Sequence, residues 1–326
     1  MDNRFSLGLD VSKRTVDVCL LESNGRTQRT RIANSQAGFQ QLMSWLHGID
    51  AQQIHACLEP TGKYSRAIAL FLLANAFLVS QVNSFAVLSH GRSKNFRSKN
   101  DTIDAYLLAD YCLKEKPPAW VPVEQSRLEL RSIEARIADI GEMLRQEQNR
   151  LEAGIDSTLV RQEIEEHIAY LTVRKKQLEK AAKEAAHADP VLAQDYAIVK
   201  SIVGLGERST LTLLAYIRFN SFEQARDAGC FAGLTPRQYR SGTSVFKRDK
   251  ISRMGNRSLR KLLFFPAMVA IQHNPQMRAF SERLRAAGKP PKVVICAVMR
   301  KLLVLATTLV LKQEFYDPAK GLPALS

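Results

Sequence analysis

The chain has 326 residues, enough for two domains of roughly 150 residues, or three if a linking element is inserted. Hydrophobic residues at 45%, charged residues at 24%, and only 16 glycines and 12 prolines exclude a disordered, collagenous or low-complexity chain. The net charge of +15 is confined to one end: residues 1–195 hold 25 Lys/Arg and 25 Asp/Glu, whereas residues 196–326 hold 22 and 7. Such localised charge suits a polyphosphate partner, because each neutralised phosphate releases condensed counterions, and it points to nucleic acid.

No apolar run is read as approaching the roughly 18 residues that span a bilayer, and residues 1–14 are too polar for a signal peptide. A soluble, cytoplasmic protein with no membrane partner is therefore expected. Cys19, Cys57, Cys112, Cys230 and Cys296 are scattered, with no CxxC and no histidine alongside. They indicate neither a disulfide framework nor a zinc site, and read as buried thiols acting as small hydrophobes.

In chain order, residues 4–10 and 15–21 read as strands, and 25–32 as a third, more polar one. Residues 35–46 show helical spacing (Phe39, Leu42, Met43, Leu46) with Ser35 as N-cap. Strand 54–58, helix 64–76, strand 77–82 and helix 101–112 follow. Three hairpin strands feeding alternating α and β elements is the order of a ribonuclease H-like domain. Residues 116–122, with three prolines, read as a linker. Residues 126–187 lack proline and place Leu130, Ile133, Ile137, Ile140 and Leu144, then Ile164, Ile168, Leu171 and Leu178, at three- and four-residue steps. Two helices meeting near Gly154 would present these stripes in an antiparallel hairpin, in an intermolecular coiled coil, or against a neighbouring domain. After Asp189-Pro190, residues 195–202, 209–218, 222–232, 258–272 and 293–312 read as helices, and 237–251 has a hairpin texture. The expected architecture is an α/β domain (1–122), a helical coiled-coil segment (123–190) and a basic, mainly helical domain (191–326).

Asp10 and Glu59 stand at the carboxyl ends of apolar strands, where a carboxylate costs desolvation energy unless it meets a cation or a metal. Asp101 and Asp104 lie three residues apart on one face of a helix near its start. Each alone reads as a cap or a strand-end acid; the four together offer hard oxygen ligands of the kind Mg²⁺ takes, and two such ions can clamp the attacking and leaving oxygens of phosphoryl transfer. Arg92, Lys94, Arg97 and Lys99 precede Asp101 without an intervening acid and would hold a phosphate backbone beside such a site. Ile202-Val-Gly204-Leu-Gly206 resembles a helix-hairpin-helix turn, whose glycines let backbone N–H groups approach phosphate, although a tight turn between helices needs the same residues. Ser241 follows Arg240 and precedes Gly242, among Arg237, Lys247, Arg248, Lys250, Arg253 and Arg257. A loop serine is ordinarily a turn residue, but within a cationic cluster its hydroxyl could attack phosphorus while arginines stabilise the developing charge.

Gly8-Leu-Asp10-Val-Ser-Lys13, Glu59-Pro-Thr-Gly-Lys-Tyr64, Lys99-Asn-Asp101-Thr-Ile-Asp104-Ala105, and Gly233-Leu-Thr-Pro236 with Arg240-Ser241-Gly242 together resemble the insertion-sequence transposases of the DEDD type. The N-terminal domain of that family is similar to the Holliday-junction resolvase RuvC. The resemblance covers nearly the whole chain. It implies that Asp10, Glu59, Asp101 and Asp104 bind Mg²⁺ and that Ser241 is a nucleophile forming a phosphoserine link. It also implies that a bridge RNA guides the protein to donor and target DNA. Recombination joins two DNA partners and the stripes of 126–187 need a partner, so a homodimer or homotetramer is expected. On the same resemblance the protein is bacterial and is found with the nucleoid when acting. Two other readings compete: a conventional metal-dependent DEDD transposase, or a resolvase-like nuclease, using water or a 3′-hydroxyl with Ser241 structural. A non-catalytic RNA-binding protein would not need four aligned acids.

Overall fold

Phe5–Val11 (β1), Thr15–Glu22 (β2) and Thr27–Ala33 (β3) form an antiparallel meander with polar turns between them: apolar residues alternate along β1, β2 ends in a buried apolar run, and β3 is a polar edge strand that buries Ile32. Ser12 builds the first turn, donating from its hydroxyl to the Thr15 carbonyl at 2.8 Å. The structure is a computed structural model that describes residues 4–94, 101–241, 245–252 and 254–321, and side chains within these other than those of 101–102 and 237–250. It divides into two compact units, Met1–Pro122 and Val123–Ser326.

In the first unit, Ile54–Leu58 (β4) and Leu78–Gln81 (β5) run parallel to β1, giving a five-stranded mixed sheet in the order β3-β2-β1-β4-β5. This sheet is consistent with the ribonuclease H-like expectation. Gln36–Trp45 (α1) is capped by Ser35, whose hydroxyl accepts from the Gly38 N–H. Together with Lys63–Ala74 (α2) it covers one face, where Leu7, Leu9, Leu20, Ile54, Leu58, Phe39, Leu42, Ile68 and Leu72 close a core. Each fully buried Leu or Ile there contributes about 1.5–3 kcal/mol over an exposed one. Asp101–Glu115 (α4) crosses the other face, and Ser84–Ser93 (α3), an element the sequence reading did not separate, packs beside it.

The approach of α4 depends on Gly8. A Cβ there would stand 2.0 Å from the Ala105 carbonyl oxygen and 2.5 Å from the Ala109 nitrogen, so any side chain would push the helix off the sheet. Residues 116–122, expected as a linker, lie along β5: the Trp120 N–H donates to the Val79 carbonyl at 2.7 Å, and Ser80 Oγ lies 3.0 and 2.7 Å from the Pro117 and Pro118 carbonyls.

In the second unit, Gln125–Glu152 (α5) and Thr158–Ala188 (α6) form an antiparallel hairpin that turns at Gly154. Leu130 and Ile137 of α5 and Ala182 and Ala186 of α6 share one core with the helices that follow. Arg127, buried in α5, donates to the carbonyls of Leu214 and Ile217, satisfying groups at the end of Glu207–Tyr216 (α8). Glu134, also buried, accepts from Arg208 and Thr212 of α8. The hairpin is thus fastened to the helical unit by polar as well as apolar contacts. Asp189-Pro190 breaks the helix for a single residue: Asp189 caps Pro190–Lys200 (α7) and accepts from the Val191 and Leu192 N–H groups. Asp227–Phe231 (α9) is much shorter than the expected 222–232: residues 223–226 form bends and turns, after a separate 3₁₀ turn at Phe219–Ser221.

Arg257–His273 (α10), Pro275–Ala286 (α11) and Pro291–Lys312 (α12) complete the unit, with Asn274 and Pro275 interrupting what would otherwise be one helix. α12 corrects the expectation that no apolar run reaches membrane-spanning length: its 22 residues are long and apolar enough by composition. Two-thirds of its most apolar window is buried, with Val298, Leu302, Leu303, Ala306 and Val310 in the helical core, which accounts for that composition. Among the described residues, Pro236–Ser241 (β6) and Val245–Ile251 (β7) pair only with each other.

Candidate active site

Strand register brings two of the expected acids together. β1 and β4 are parallel with Leu9 opposite Leu58, so Asp10 and Glu59, each the next residue, leave adjacent strands at the same level and on the same face. That face also carries Ser6, Gly8, His55 and Cys57, and α4 covers it. The helix runs opposite to both strands. Cys112 Sγ reaches the His55 carbonyl at 3.4 Å, near the strands' amino ends, and Ala105 and Ala109 straddle Gly8. The start of α4 therefore lies toward the strands' carboxyl ends, and Asp104, half-buried, stands on that first turn. Asp101 opens the same helix; its side chain lies outside the described residues.

Neighbours orient two of these elements. Ser84, the first residue of α3, donates its hydroxyl to Glu59 Oε2. Asp17, directly opposite Asp10 across β1 and β2, is a further acid on this face that the sequence reading missed. It is neutralised by Arg31 on β3, through two 2.9 Å hydrogen bonds. Cross-strand pairing, invisible without a register, was the signal for it.

The cations are distributed unevenly. Arg92 is exposed near the end of α3. Lys94 pairs with the buried carboxylate of Asp110, which also meets His90 at 2.6 Å and Lys114 at 3.3 Å. Burial alone would raise the Asp110 carboxyl; hydrogen bonds from Lys94, His90 and Lys114 outweigh it and hold the group below the usual carboxylate range. Arg97, Lys99 and Arg253 lie outside the described residues, as do the side chains of Arg237, Arg240, Ser241, Lys247, Arg248 and Lys250 on the β6–β7 hairpin. Ser241 is the last residue of β6, paired with Val245. Arg257 is exposed at the start of α10. Sequence reasoning passed over Arg278, Arg283, Arg285, Lys289 and Lys292, all exposed on or just after α11 with Glu282 as the one acid among them.

In the glycine turn, Gly204 has φ +111° and an added Cβ would meet Ala270 Cβ at 2.6 Å, so this residue lets the turn pack on α10. Gly206 caps α8 in an extended conformation, with nothing within 4 Å of where its Cβ would be. The structure also corrects the expectation that the cysteines lack a histidine partner. His55, Cys57 and Cys112 are all buried, and their ligand atoms lie within 4.8 Å of one another.

Residues 7–160 match a transposase family model of the DEDD, IS110 type, and residues 196–282 match a transposase model of the IS116/IS110/IS902 family. The chain is 30% identical to the pilin gene-inverting protein of Moraxella bovis over 315 residues, 95% of this chain and 97% of that one, and equally so to the Moraxella lacunata protein of the same name. A shorter match, 28% identical over 121 residues, links it to an uncharacterised 43.6 kDa protein of insertion element IS110 from Streptomyces coelicolor, covering 37% of this chain and 30% of that one. With two transposase models matched along the chain and a relative 30% identical over nearly the whole of both proteins, the chain belongs to the IS116/IS110/IS902 family of transposases and is a DNA recombinase/transposase.

Proposed function

We propose that this transposase is a site-specific recombinase that cuts and rejoins donor and target DNA through a phosphoserine at Ser241, directed by a bridge RNA. The observation that supports the reading is the register that brings Asp10 and Glu59 to adjacent strand ends, with α4, whose first turn carries Asp104, laid across the same sheet face. An oxygen-only donor set of carboxylates fits Mg²⁺, which binds through few protein ligands and completes its shell with water and substrate phosphate. Asp10, Glu59, Asp101 and Asp104 would hold it. When bound, Mg²⁺ neutralises phosphate charge and lowers the pKa of a coordinated hydroxyl.

The chain's own groups do the rest. Ser84 fixes the Glu59 carboxylate, and Gly8 sets the height of α4 and with it Asp104. The Ser241 hydroxyl forms a bond to phosphorus as the bond to the departing sugar oxygen breaks, while Arg237, Arg240, Lys247, Arg248, Lys250, Arg253 and Arg257 offer compensating charge. Attack by a hydroxyl of a second strand then reseals the backbone. No ATP is consumed, because the phosphodiester energy is kept in the phosphoserine. Arg92, Arg97 and Lys99, together with the turn at Gly204 and Gly206, would contact nucleic acid backbone, whereas Lys94 is held by Asp110. The +15 excess after residue 195 favours both DNA and RNA as partners. Joining two DNA partners calls for at least two protomers. The α5–α6 hairpin (123–190) is the proposed self-association segment, with Tyr170 and Val173 of α6 exposed. Residues 191–326 form the proposed DNA- and RNA-engaging part, and the protein works at the nucleoid.

The test is to trap a covalent protein–DNA adduct on a nicked or suicide substrate. Wild type should form it, and Ser241→Ala should bind RNA and DNA yet form none. Cleavage at the normal rate by Ser241→Ala would replace the serine with water or a 3′-hydroxyl activated at the acidic site.

A further inference from the structure

We propose that His55, Cys57 and Cys112 form a binding site for one zinc ion, distinct from the acidic site and buried beneath α4. His55 and Cys57 lie two residues apart on β4, on the face that α4 covers, and Cys112 comes down from α4 onto them. All three are at most 4% exposed, both thiols are free, and the three ligand atoms lie within 4.8 Å of one another. A tetrahedral zinc ion with Zn–S of about 2.3 Å and Zn–N of about 2.0 Å separates its ligand atoms by roughly 3.5–3.8 Å, so a contraction of about 1 Å completes the site.

The hydrogen bonds around His55 select the form of imidazole a metal takes. Ser80 Oγ lies 2.7 Å from His55 Nε2, and 3.0 and 2.7 Å from the Pro117 and Pro118 carbonyls. Carbonyl oxygens only accept, so the single hydroxyl proton of Ser80 goes to them, and Ser80 must accept from His55 Nε2–H. The lone pair is left on Nδ1, and Ser80 serves as the outer partner that orients a ligating histidine. A cavity of about 110 Å³, lined by Ser6, His55, Cys112, Lys116 and Pro117, adjoins the cluster. It has room for a water in the fourth position.

Charge favours zinc over a harder ion. Binding releases two thiol protons to solvent, and two thiolates, a neutral imidazole and Zn²⁺ sum to zero. A neutral assembly suits a buried pocket in which an isolated cation would not survive desolvation. Mg²⁺, which wants oxygen ligands, is excluded from the same three side chains. The ion would tie β4 to α4, the two elements that carry Glu59 and Asp104, and so act as a structural brace under the acidic site.

The full-length protein, purified with reductant after growth with zinc and dialysed, should retain about one zinc per chain by elemental analysis. Cys57→Ser and Cys112→Ser should retain at least tenfold less, the order of loss expected when a thiolate ligand is removed. Cys19→Ser, buried on the same sheet face, and Asp104→Asn should keep it. Cobalt in place of zinc should give a thiolate-to-metal charge-transfer band in the near ultraviolet. Should the variants fail to fold, titration of wild type with an organomercurial should release zinc as the buried thiols react. Equal zinc in wild type and Cys112→Ser, the absence of the cobalt band, no mercurial-linked release, or a Cys57–Cys112 disulfide in protein handled without reductant would each overturn the site.

Discussion

The two units carry the proposed working residues on different kinds of scaffold. In the first, Asp10, Glu59 and Asp104 are fixed by strand register and by a helix pressed onto the sheet, so their mutual placement follows from a core that has to form anyway. In the second, Ser241 sits on a two-stranded hairpin whose strands, among the described residues, pair with each other alone, while the core lies in helices from α5 to α12. A site on a sheet is as stiff as the sheet; a residue on a lone hairpin can be aimed by whatever the hairpin grips. The acids are therefore expected to respond to packing changes far from them, and the serine to be indifferent to the core.

The largest expected effect tests the first half of that contrast. Asp10→Asn or Glu59→Gln should reduce strand exchange by about a thousandfold, several kcal/mol of transition-state stabilisation, with thermal unfolding little changed. A variant within tenfold of wild type in a gel-based recombination assay would show that these carboxylates are not the working pair. Next, Asp110→Asn should cost about 3 kcal/mol of stability in urea unfolding, because Lys94, His90 and Lys114 would be left around a neutral group. The Asp110 carboxyl titrates below its unfolded value, so its stabilisation is complete above about pH 4 and fades as pH falls through the folded-state value. Asp110→Asn should flatten that acid limb, and an unchanged profile would remove Asp110 from the account.

Gly8→Ala should cost about 2 kcal/mol by overpacking and should lower recombination as well, because the displaced helix carries Asp104. Stability lost with activity kept would break the link between helix height and the acidic site. The smallest effects separate the two glycines of the α7–α8 turn. Gly204→Ala should cost about 1–2 kcal/mol, having both a positive φ and Ala270 in the way, whereas Gly206→Ala should be within about 0.5 kcal/mol of wild type. A loss of salt-sensitive DNA binding in Gly206→Ala, read by fluorescence anisotropy, would identify the turn as a backbone contact as well as a packing device.

Much of the first unit was legible because its periodicities are clean. Ile54–Leu58 agrees with the expected strand at both ends, and Ser35 caps α1 as its position before an apolar 3–4 repeat implied. What sequence could not give was register. Asp17 opposite Asp10, and Cys112 above His55 and Cys57, are neighbours only once strands are paired and α4 is laid across them, so residues 7, 55 and 57 positions apart looked unrelated. The stripes of 126–187 were read correctly as helical, but periodicity alone does not say what an apolar stripe faces. Leu130 and Ile137 turn out to face the unit's own core. The charged residues told more of composition than of place: Lys94 belongs to a cationic run in sequence, yet in space it is held by Asp110.

The contact at Gly8 has a consequence for how this transposase can vary. Backbone atoms, not side chains, set the distance between α4 and the sheet, so that distance works as an index mark: a slip of one helical turn would carry Asp104 by about 5.4 Å and lose the site. Residues on the outer face of α4 can drift without moving the mark. Loss of function can instead arise at a position with no functional group at all, and such an allele would pass in a screen for a missing catalytic side chain.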